Sequence, residues 1–234
     1  MKVINQITPT APKLMLYSLP GVGKSTLAAK LKNPIFLDIE GGLNYIECAR
    51  TEQITDLETF YTYLIELYRA KDREYDTIVI DSVDWLVRKI VETAAGIDSN
   101  NLDMTLNKSN GGYGNGVQVL ENHIRTKLLP TLVALNKKGY GICLIAHAER
   151  KDMMDADGVD TERITPKIDA KTMSVFIEWT DNVFYLKKDN NGNRVLVLDS
   201  DMIALAKNRL SLSGEVKLDE VDINELLKPT KKEK

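Results

Sequence analysis

The sequence of 234 residues predicts a three-layer α/β fold, in which a mostly parallel sheet lies between helices and carries an antiparallel hairpin at one edge. Short apolar segments alternate along the chain with segments of helical periodicity, which is typical of strands buried in a parallel sheet. Near the carboxyl end, a turn signal separates two further apolar segments and predicts the hairpin. Neither an internal repeat nor the boundary of a second domain is apparent.

The predicted strands are near-continuous apolar runs rather than alternations of apolar and polar residues. Such runs indicate strands that are covered on both faces. The sequence Asp-Asn-Asn-Gly-Asn at 189–193 is a hairpin signal and joins the last two strands. The predicted strands are residues 14–17, 34–39, 77–81, 141–146, 182–186 and 194–199.

Between the strands, apolar residues recur at helical spacing. Residues 55–58 resemble a capping box at the start of one helix, and Pro130 is expected to kink the longest one. The polar segments 98–116 and 147–167 interrupt the periodicity and are interpreted as loops. The predicted helices are residues 27–31, 57–68, 85–91, 117–136 and 171–179.

Three parts of unequal size are expected along the chain. Residues 13–212 are predicted to form one core domain, which is long enough to bury a sizeable hydrophobic interior. Residues 1–12 form an N-terminal extension, and residues 213–234 form a C-terminal segment with a basic tail. That tail is predicted to be a solvated terminus rather than a DNA-binding arm.

Composition narrows the class of protein. Shares of 43% hydrophobic and 28% charged residues indicate a globular rather than a disordered chain. The apolar runs are too short to span a membrane and no secretory signal is evident, so we expect a cytoplasmic protein. Two cysteines, Cys48 and Cys143, are too few for a disulfide framework or a metal site. The net charge of −3 excludes a histone-like polycation, so nucleic acid would have to bind in a local groove.

A glycine-rich loop follows the first predicted strand. It reads Ser-Leu-Pro-Gly-Val-Gly-Lys-Ser-Thr, the pattern of a P-loop or Walker A motif, with Ser18 where that pattern has glycine. Backbone N–H groups of such a loop form a concave anion site. Lys24 is expected to reach the β- and γ-phosphates, and Ser25 to ligate Mg²⁺. The predicted cofactor-binding residues are Ser18, Pro20, Gly21, Val22, Gly23, Lys24, Ser25 and Thr26.

Polar residues also end three other predicted strands. Asp81 closes its strand in the Walker B pattern and is expected to hold Mg²⁺, the alternative being a surface aspartate. Glu40 is expected to orient or deprotonate a water that attacks the γ-phosphate, the alternative being a turn residue before two glycines. His147 is either a polar group that hydrogen-bonds the γ-phosphate or its water, or a purely structural histidine.

These strand ends resemble the RecA-type recombinase core. The segments Phe-Leu-Asp-Ile-Glu at 36–40, Ile-Val-Ile-Asp-Ser-Val at 78–83 and Leu-Ile-Ala-His at 144–147 look like successive strand ends of that family. The resemblance implies that Glu40 is the catalytic glutamate. It also implies that His147 occupies the place of a polar sensor, which is usually glutamine in the family.

A fourth segment of the same family lies late in the chain. Residues 204–210, Ala-Leu-Ala-Lys-Asn-Arg-Leu, resemble a stretch whose two basic residues reach across a subunit interface to the phosphates of the neighbour. The resemblance makes Lys207 and Arg209 candidate trans-acting catalytic cations. The alternative is a pair of solvated surface residues.

The resemblance covers residues 13–212 and is closest to short phage-encoded ATPases with a RecA core that act in single-strand annealing and recombination. It implies ATP and Mg²⁺ as cofactors, hydrolysis stimulated by DNA and by assembly, and a homo-oligomer. It further implies single-stranded DNA and a recombination or single-strand-binding protein as partners in the host cytoplasm, with no membrane. Since only residues 1–12 precede the core, the large oligomerisation region of full recombinases has no room, and long filaments are not expected.

Two loops of RecA-type cores face DNA, and they match residues 107–114 and 150–167 of this chain. The first offers Lys108 as a cation and Tyr113 as an aromatic for base stacking. The second carries four basic and five acidic residues, so its net charge of −1 is a poor match for a polyanion.

The acidic character of the second loop favours an alternative function, that of a nucleotide-gated loader or adaptor with a protein partner. A small-molecule kinase is a third possibility, because P-loops also serve phosphoryl transfer to metabolites. No short arginine-rich lid is evident in the sequence, however, and Glu40 suits an attacking water better than a metabolite.

Overall fold

The computed structural model of the chain describes residues 10–94, 108–109, 111–154, 160–168, 170–200 and 203–228. Within these residues, nine strands form one mostly parallel sheet with helices on both faces, so the predicted three-layer α/β fold class is confirmed. Several predictions fall on residues outside this description. They concern the start of the N-terminal extension, most of the glycine-rich segment, the tip of the acidic loop and the basic tail, at 1–9, 95–107, 110, 155–159 and 229–234.

The strands follow the apolar segments of the sequence, with short additions at both edges of the sheet. The additions are β3 and β9, which are too short and too exposed for an apolar pattern to reveal them. The strands are β1 (Lys13–Ser18), β2 (Pro34–Asp38), β3 (Ala49–Arg50), β4 (Thr77–Asp81), β5 (Gly141–Met154), β6 (Asp160–Pro166), β7 (Asn182–Lys188), β8 (Arg194–Val197) and β9 (Glu215–Lys217).

The helices cover both faces of the sheet. No helix in the described part of the chain is both long and apolar enough to cross a membrane. The helices are α1 (Lys24–Ala28), α2 (Leu57–Arg69), α3 (Val83–Ala94), α4 (Asn115–His123), α5 (Leu129–Lys137), α6 (Ala170–Trp179) and α7 (Ile223–Leu226).

Strand β1 lies at the centre of the sheet. Six strands run parallel in the order β3-β2-β4-β5-β1-β7, β7 and β8 form the predicted antiparallel hairpin, and β9 continues antiparallel beyond β8. Side chains of β1 alternate between two hydrophobic layers. Leu14 and Leu16 pack on the side of α1 and α7, whereas Met15 and Tyr17 pack on the side of α2 to α6. A strand buried on both faces in this way reads as a continuous apolar run.

The long helix predicted over 117–136 is divided in the structure. Helix α4 ends at His123, a π-helical segment spans Ile124–Leu128, and α5 begins at Leu129 with Pro130 in its first turn. The backbone stays helical through this segment, and the carbonyl four residues before Pro130 is that of Thr126, inside the π-helical segment. A proline lacks the N–H for that carbonyl and its ring clashes with it, so the disturbance lies in the turn where Pro130 is expected to cause it.

The interpretation of residues 147–167 as a loop was wrong. Strand β5 continues past His147 to Met154, and β6 returns antiparallel beside it from Asp160 to Pro166. Beyond the sheet this pair of strands is a two-stranded ribbon with polar side chains on both faces. Its sequence therefore lacks the apolar pattern from which a strand is predicted.

The register of the sheet brings the polar strand ends together. Ser18 of β1 lies directly opposite His147 of β5, and Asp38 of β2 lies directly opposite Asp81 of β4. Since all four strands are parallel, these residues share one carboxyl edge, where open α/β sheets bind their ligands.

Candidate nucleotide-binding site

The P-loop connects β1 to α1 and contains two left-handed glycines. Gly21 has a φ of +76° and Gly23 a φ of +106°, values that side chains other than glycine rarely adopt. Ser18 stands where the motif has its first glycine, and its side chain is buried. The hydroxyl has a hydrogen-bond partner there, because Oγ donates to the carbonyl of Leu19 at 2.7 Å. The serine is therefore accommodated by the turn.

Lys24 is folded back across the loop. Its side chain is buried, and its Nζ donates to the Ser18 carbonyl at 3.4 Å. Burial lowers the pKa of Lys24, while the charges of Asp81 and Glu40 oppose that shift. The ammonium is thus held over the loop by a weak contact that a phosphate oxygen would replace with a stronger one.

Ser25 and Asp81 form the closest polar contact of the cleft. The Ser25 hydroxyl donates to Oδ2 of Asp81 at 2.6 Å. Burial raises the pKa of Asp81 to about 6; the hydrogen bond from Ser25 opposes the rise, and the charges of Glu40 and Asp38 add to it. These carboxylates crowd negative charge at one point of the sheet edge.

Oxygen donors beside uncompensated negative charge fit Mg²⁺, which prefers hard oxygen ligands. Ser25 and Asp81 are the residues that could hold it. Among the described residues, no group of three or more His, Cys, Asp or Glu side chains could by itself hold a metal ion. This arrangement also fits Mg²⁺, because that ion usually takes one or two protein ligands and completes its shell with phosphate oxygens and water.

Glu40 follows β2 and is anchored through its backbone. Its N–H donates to the Asp81 carbonyl at 3.2 Å, and its own carbonyl accepts from Nε2 of Gln53 at 3.2 Å. The carboxylate is left unengaged by these contacts, and one oxygen lies 3.6 Å from Nε2 of His147. The side chain is about one-third exposed, at 31%, so water reaches it.

His147 is held by an aspartate that the sequence analysis missed. Oδ2 of Asp84 lies 2.9 Å from Nδ1 of His147, and Oδ1 accepts from the His147 backbone N–H at 3.2 Å. The hydrogen bond to Asp84 raises the pKa of His147. Burial raises the pKa of Asp84, but the interactions with His147 outweigh it and hold the pKa below its usual value. Asp84 lies in the first turn of α3, three residues after Asp81, and that spacing is the signal that could have found it.

These side chains surround one polar cleft of about 230 Å³. Pockets that enclose a whole ligand usually measure roughly 300–1,000 Å³, so the cleft matches a polyphosphate better than an entire nucleotide. Of the predicted cofactor-binding residues, Ser18 and Val22 lie behind the loop rather than on the cleft wall. The cleft is lined by Pro20, Gly21, Gly23, Lys24, Ser25, Thr26, Glu40, Gly42, Ile46, Asp81 and His147.

Lys207 and Arg209 lie away from this cleft. The backbone of Lys207 pairs with Val183, and its Nζ donates to the carbonyls of Ile177 at 2.5 Å and Thr180 at 2.8 Å, at the carboxyl end of α6. Arg209 lies 3.3 Å from Asp181 and keeps 59% of its side chain exposed. Asp181 also pairs with Lys13 at the start of β1, at the opposite end of that strand from the P-loop. Neither cation lines the cleft of its own chain.

The first predicted DNA-facing segment, 107–114, is only partly within the described residues, because 107 and 110 fall outside them. Lys108 is exposed, and so is the whole side chain of Tyr113. The backbone of Tyr113 has a left-handed φ of +55°. An aromatic ring in this setting is available to stack with a base.

The second segment forms the ribbon of β5 and β6, and two of its cross-strand pairs join residues of like charge. Lys151 lies directly opposite Arg163, whereas Asp152 lies directly opposite Glu162. Because successive residues of a strand point to opposite faces, one face of the ribbon carries the basic pair and the other the acidic pair. Within the described residues, Nε of Arg163 is buried without a hydrogen-bond partner. Arg150 shares the face of the acidic pair, where its Nη1 lies 3.4 Å from Oε2 of Glu162, and Glu149 shares the face of the basic pair, so each described face of the ribbon carries both signs of charge.

The chain is similar to known proteins over most of its length. Residues 10–210 match a protein family described as an AAA domain. The chain is 24% identical over 179 residues to the SPbeta prophage-derived uncharacterized protein YorG of Bacillus subtilis (strain 168), which covers 75% of this chain and 50% of that protein. The chain thus spans about half the length of the curated relative that it matches.

Two solved structures are similar in overall shape. The crystal structure of the RadB recombinase aligns with a TM-score of 0.49 and 15% identity, over 89% of this chain and 87% of that one. A KaiC-like protein, PH0186 from Pyrococcus horikoshii OT3, aligns with a TM-score of 0.48 and 13% identity, over 89% of this chain and 85% of that one.

Proposed function

Because the chain belongs to the AAA domain family, we propose that it is a Mg²⁺-dependent ATPase with a RecA-like core that binds single-stranded DNA and assists phage-type recombination or annealing. One observation carries the proposal. The sheet edge gathers a P-loop lysine, a hydroxyl–carboxylate pair and a water-accessible glutamate around one cleft, namely Lys24, Ser25 with Asp81, and Glu40. These are the parts that phosphoryl transfer to water requires.

Binding of ATP rests on the loop and on Lys24. The backbone N–H groups of the loop and the ammonium of Lys24 hold the β- and γ-phosphates. Ser25 and Asp81 hold Mg²⁺, which when bound neutralises charge that develops on the phosphate oxygens.

Hydrolysis rests on Glu40, whose carboxylate orients a water and accepts its proton. Nδ1 of His147 carries the proton shared with Asp84, so Nε2 of the neutral ring turns a lone pair toward Glu40. When the ring is protonated at both nitrogens, Nε2 donates instead and forms an ion pair with Glu40. Glu40 is free to act as a base only while His147 is neutral.

Binding of single-stranded DNA is supported by the basic face of the ribbon. Lys151 and Arg163 lie directly opposite each other on the face that also carries Glu149, and like charges in direct opposition are destabilising unless an anion lies over them. Tyr113 and Lys108 add an exposed ring and a further cation. This combination of cations with an aromatic is typical of surfaces that bind single strands.

The phage context and the assembly of the protein are finer parts of the proposal. A relative of prophage origin supports the first. For the second, Arg209 is the better candidate for a cation supplied to a neighbouring copy, because its side chain is mostly exposed whereas the Lys207 ammonium is engaged by carbonyls of α6.

The test measures ATP hydrolysis without DNA, with single-stranded DNA and with duplex DNA, alongside the oligomeric state. We expect single-stranded DNA to raise the rate and assembly to accompany that rise. An unchanged rate across a titration of single-stranded DNA, with ATP binding intact, would remove DNA from the proposal while leaving the ATPase.

The acidic face of the ribbon favours a second candidate function, that of a nucleotide-gated loader or adaptor. Asp152 and Glu162 offer a protein partner two exposed carboxylates, of which Glu162 also lies 3.4 Å from Nη1 of Arg150. Gel filtration with candidate recombination or single-strand-binding proteins, with and without ATP, distinguishes the two. Complex formation that depends on ATP, together with DNA binding that is absent at all salt concentrations, would favour the adaptor.

A further inference from the structure

We propose that Arg194 binds the nucleotide from the flank of the P-loop that faces away from the carboxylates. This inference deepens the proposed function and rests on it. It adds a cation of the same chain to the phosphate site, and it assigns that cation to nucleotide binding rather than to turnover.

The guanidinium of Arg194 lies against the phosphate-binding loop. Its Nη1 is 3.2 Å, and its Cδ 3.7 Å, from the position that a Cβ on Gly23 would occupy. The side chain is half-buried, and within the described residues no hydrogen bond or ion pair holds the guanidinium. A guanidinium carries five N–H donors, so that of Arg194 lies beside the loop with its donors available for hydrogen bonds to a ligand.

The edge hairpin fixes Arg194 in this place. Arg194 is the first residue of β8, and Leu196, two residues on, packs in the layer of α1. Period-two alternation therefore puts Arg194 on the same side of the sheet as the P-loop helix. The preceding turn is tied by Asp189, whose Oδ1 accepts from the N–H groups of Asn191 at 2.9 Å and Asn193 at 2.8 Å. The strand thus starts at a defined point beside the loop.

A second cation faces the same side of the hairpin. Lys188 lies directly opposite Arg194 in the antiparallel pair, so their side chains share a face. Two like charges in direct opposition are destabilising on their own, and an anion between or above them removes the repulsion. The hairpin therefore presents positive charge toward the place where phosphates would lie.

The geometry of hydrolysis indicates which part of the nucleotide Arg194 meets. Glu40, Asp81 and His147 follow strands on one side of β1, and β7 and β8 lie on the other. An attacking water and the leaving group stand in line across the γ-phosphate. With Glu40 on the side of the water, the departing diphosphate points toward the side of Arg194. Guanidinium groups bind phosphate oxygens in a bidentate manner.

A contact of Arg194 with diphosphate oxygens other than the one that bridges to the γ-phosphate is made about equally to substrate and transition state, because the charge of bond breaking develops mainly on the bridging oxygen. It strengthens binding without accelerating the chemical step. We therefore expect R194Q to weaken the affinity for both Mg²⁺–ATP and Mg²⁺–ADP by about tenfold or more, with kcat little changed. R194K should restore part of the loss, because it returns the charge but not the paired donors.

The experiment compares R194Q and R194K with wild type by calorimetric titration of ATP and ADP. K187Q is the matched control: Lys187 is the neighbour of Lys188 on the opposite face, where it pairs with Glu215 at 2.5 Å, so the variant removes one positive charge from the same hairpin. We expect K187Q to bind both nucleotides as wild type does. Melting curves accompany each variant, and R194K, which keeps the packed stem, supplies the measurement if R194Q unfolds.

Different results would refute the role of Arg194 and the proposed ATPase function. An unchanged nucleotide affinity in a folded R194Q protein, when K24A has lost binding, overturns the role of Arg194 and leaves the ATPase standing. Equal weakening by R194Q and K187Q also overturns it, because the effect would then be one of net charge. Absence of ATP binding in the wild type would refute the proposed function itself.

Discussion

Carboxylates crowd the nucleotide cleft around one lysine and one histidine, whereas the ribbon of β5 and β6 carries a cross-strand pair of like charge on each of its two faces. In the cleft, the Asp84 carboxylate lies 2.9 Å from His147, and the charges of Asp81 and Glu40 act on Lys24. On the ribbon, Lys151 lies opposite Arg163 and Asp152 opposite Glu162. The cleft therefore combines one internal pair, Asp84 with His147, with carboxylates that a cation could neutralise, whereas the ribbon combines the Arg150–Glu162 ion pair at 3.4 Å with two half-buried cations, Lys151 and Arg163.

The two regions should respond differently to substitution. Charges in a half-buried cleft are poorly screened, and each has a separate chemical role, so loss of one group has a large and specific effect. Charges on an exposed ribbon are screened by salt and contribute additively to binding of a polyanion. The following predictions test that contrast, from the largest expected effect to the smallest.

E40Q should reduce kcat for ATP hydrolysis by about 10²–10⁴-fold, the usual contribution of a general base, while the affinity for ATP is retained. The amide keeps the size of the side chain but cannot accept the proton of the water. Single-turnover hydrolysis and nucleotide titration on one preparation measure both quantities. E47Q is the control, since Glu47 is an exposed glutamate outside the cleft lining. Normal turnover in E40Q would refute the assignment of Glu40.

The double variant K151Q/R163Q should weaken binding of single-stranded DNA and lower the slope of log affinity against log salt by about 1.4, at about 0.7 for each lost phosphate contact. The matched variant D152N/E162Q changes the same ribbon by the same number of charges, on the acidic face. It should leave that slope unchanged. Fluorescence anisotropy of a labelled oligonucleotide across several salt concentrations gives the slopes. If only D152N/E162Q alters a binding reaction, and that reaction involves a protein, the adaptor function is favoured.

D84N should shift the pH dependence of ATP hydrolysis to lower pH, because Asp84 is the group that raises the pKa of His147. In the wild type, activity should rise as pH increases through the raised pKa of His147, since deprotonation releases Glu40 from its ion pair. Removing the Asp84 charge lowers that pKa, and the rise then occurs earlier. Rate–pH profiles at saturating ATP test this, with H147Q expected to abolish the rise. A profile of D84N identical to that of the wild type would contradict the role of Asp84.

The position of a site residue could be predicted from the local sequence where that residue ends, or directly follows, a predicted strand. The polar residues that follow β2, β4 and β5 were expected at the sheet edge of the P-loop, and parallel pairing puts Ser18 beside His147 and Asp38 beside Asp81. The roles assigned there stay predictions, because geometry alone does not measure catalysis. Strand ends of this kind are predictable because a buried parallel strand has only one edge at which a polar residue can follow it.

Other residues of the site depend on contacts that sequence spacing does not encode. Asp84 reaches His147 across 63 positions of the chain, and Arg194 reaches Gly23 from the far hairpin. From the sequence, Lys207 was predicted to be a cation available to a neighbouring subunit. In the structure its ammonium donates hydrogen bonds to the carbonyls at the end of α6. Each of these pairings follows from the packing of separate elements.

The sequence by itself determined the fold class, the P-loop and the order of polar strand ends, because these follow from hydrophobic periodicity and from a local backbone motif. Tertiary structure alone decided how the charges are divided. The register of β5 and β6 places basic and acidic pairs on opposite faces of one ribbon, and the edge hairpin carries Arg194 to the P-loop. A shift of one residue in a β-pairing moves a side chain to the other face, so charge placement is a property of the register and not of the composition.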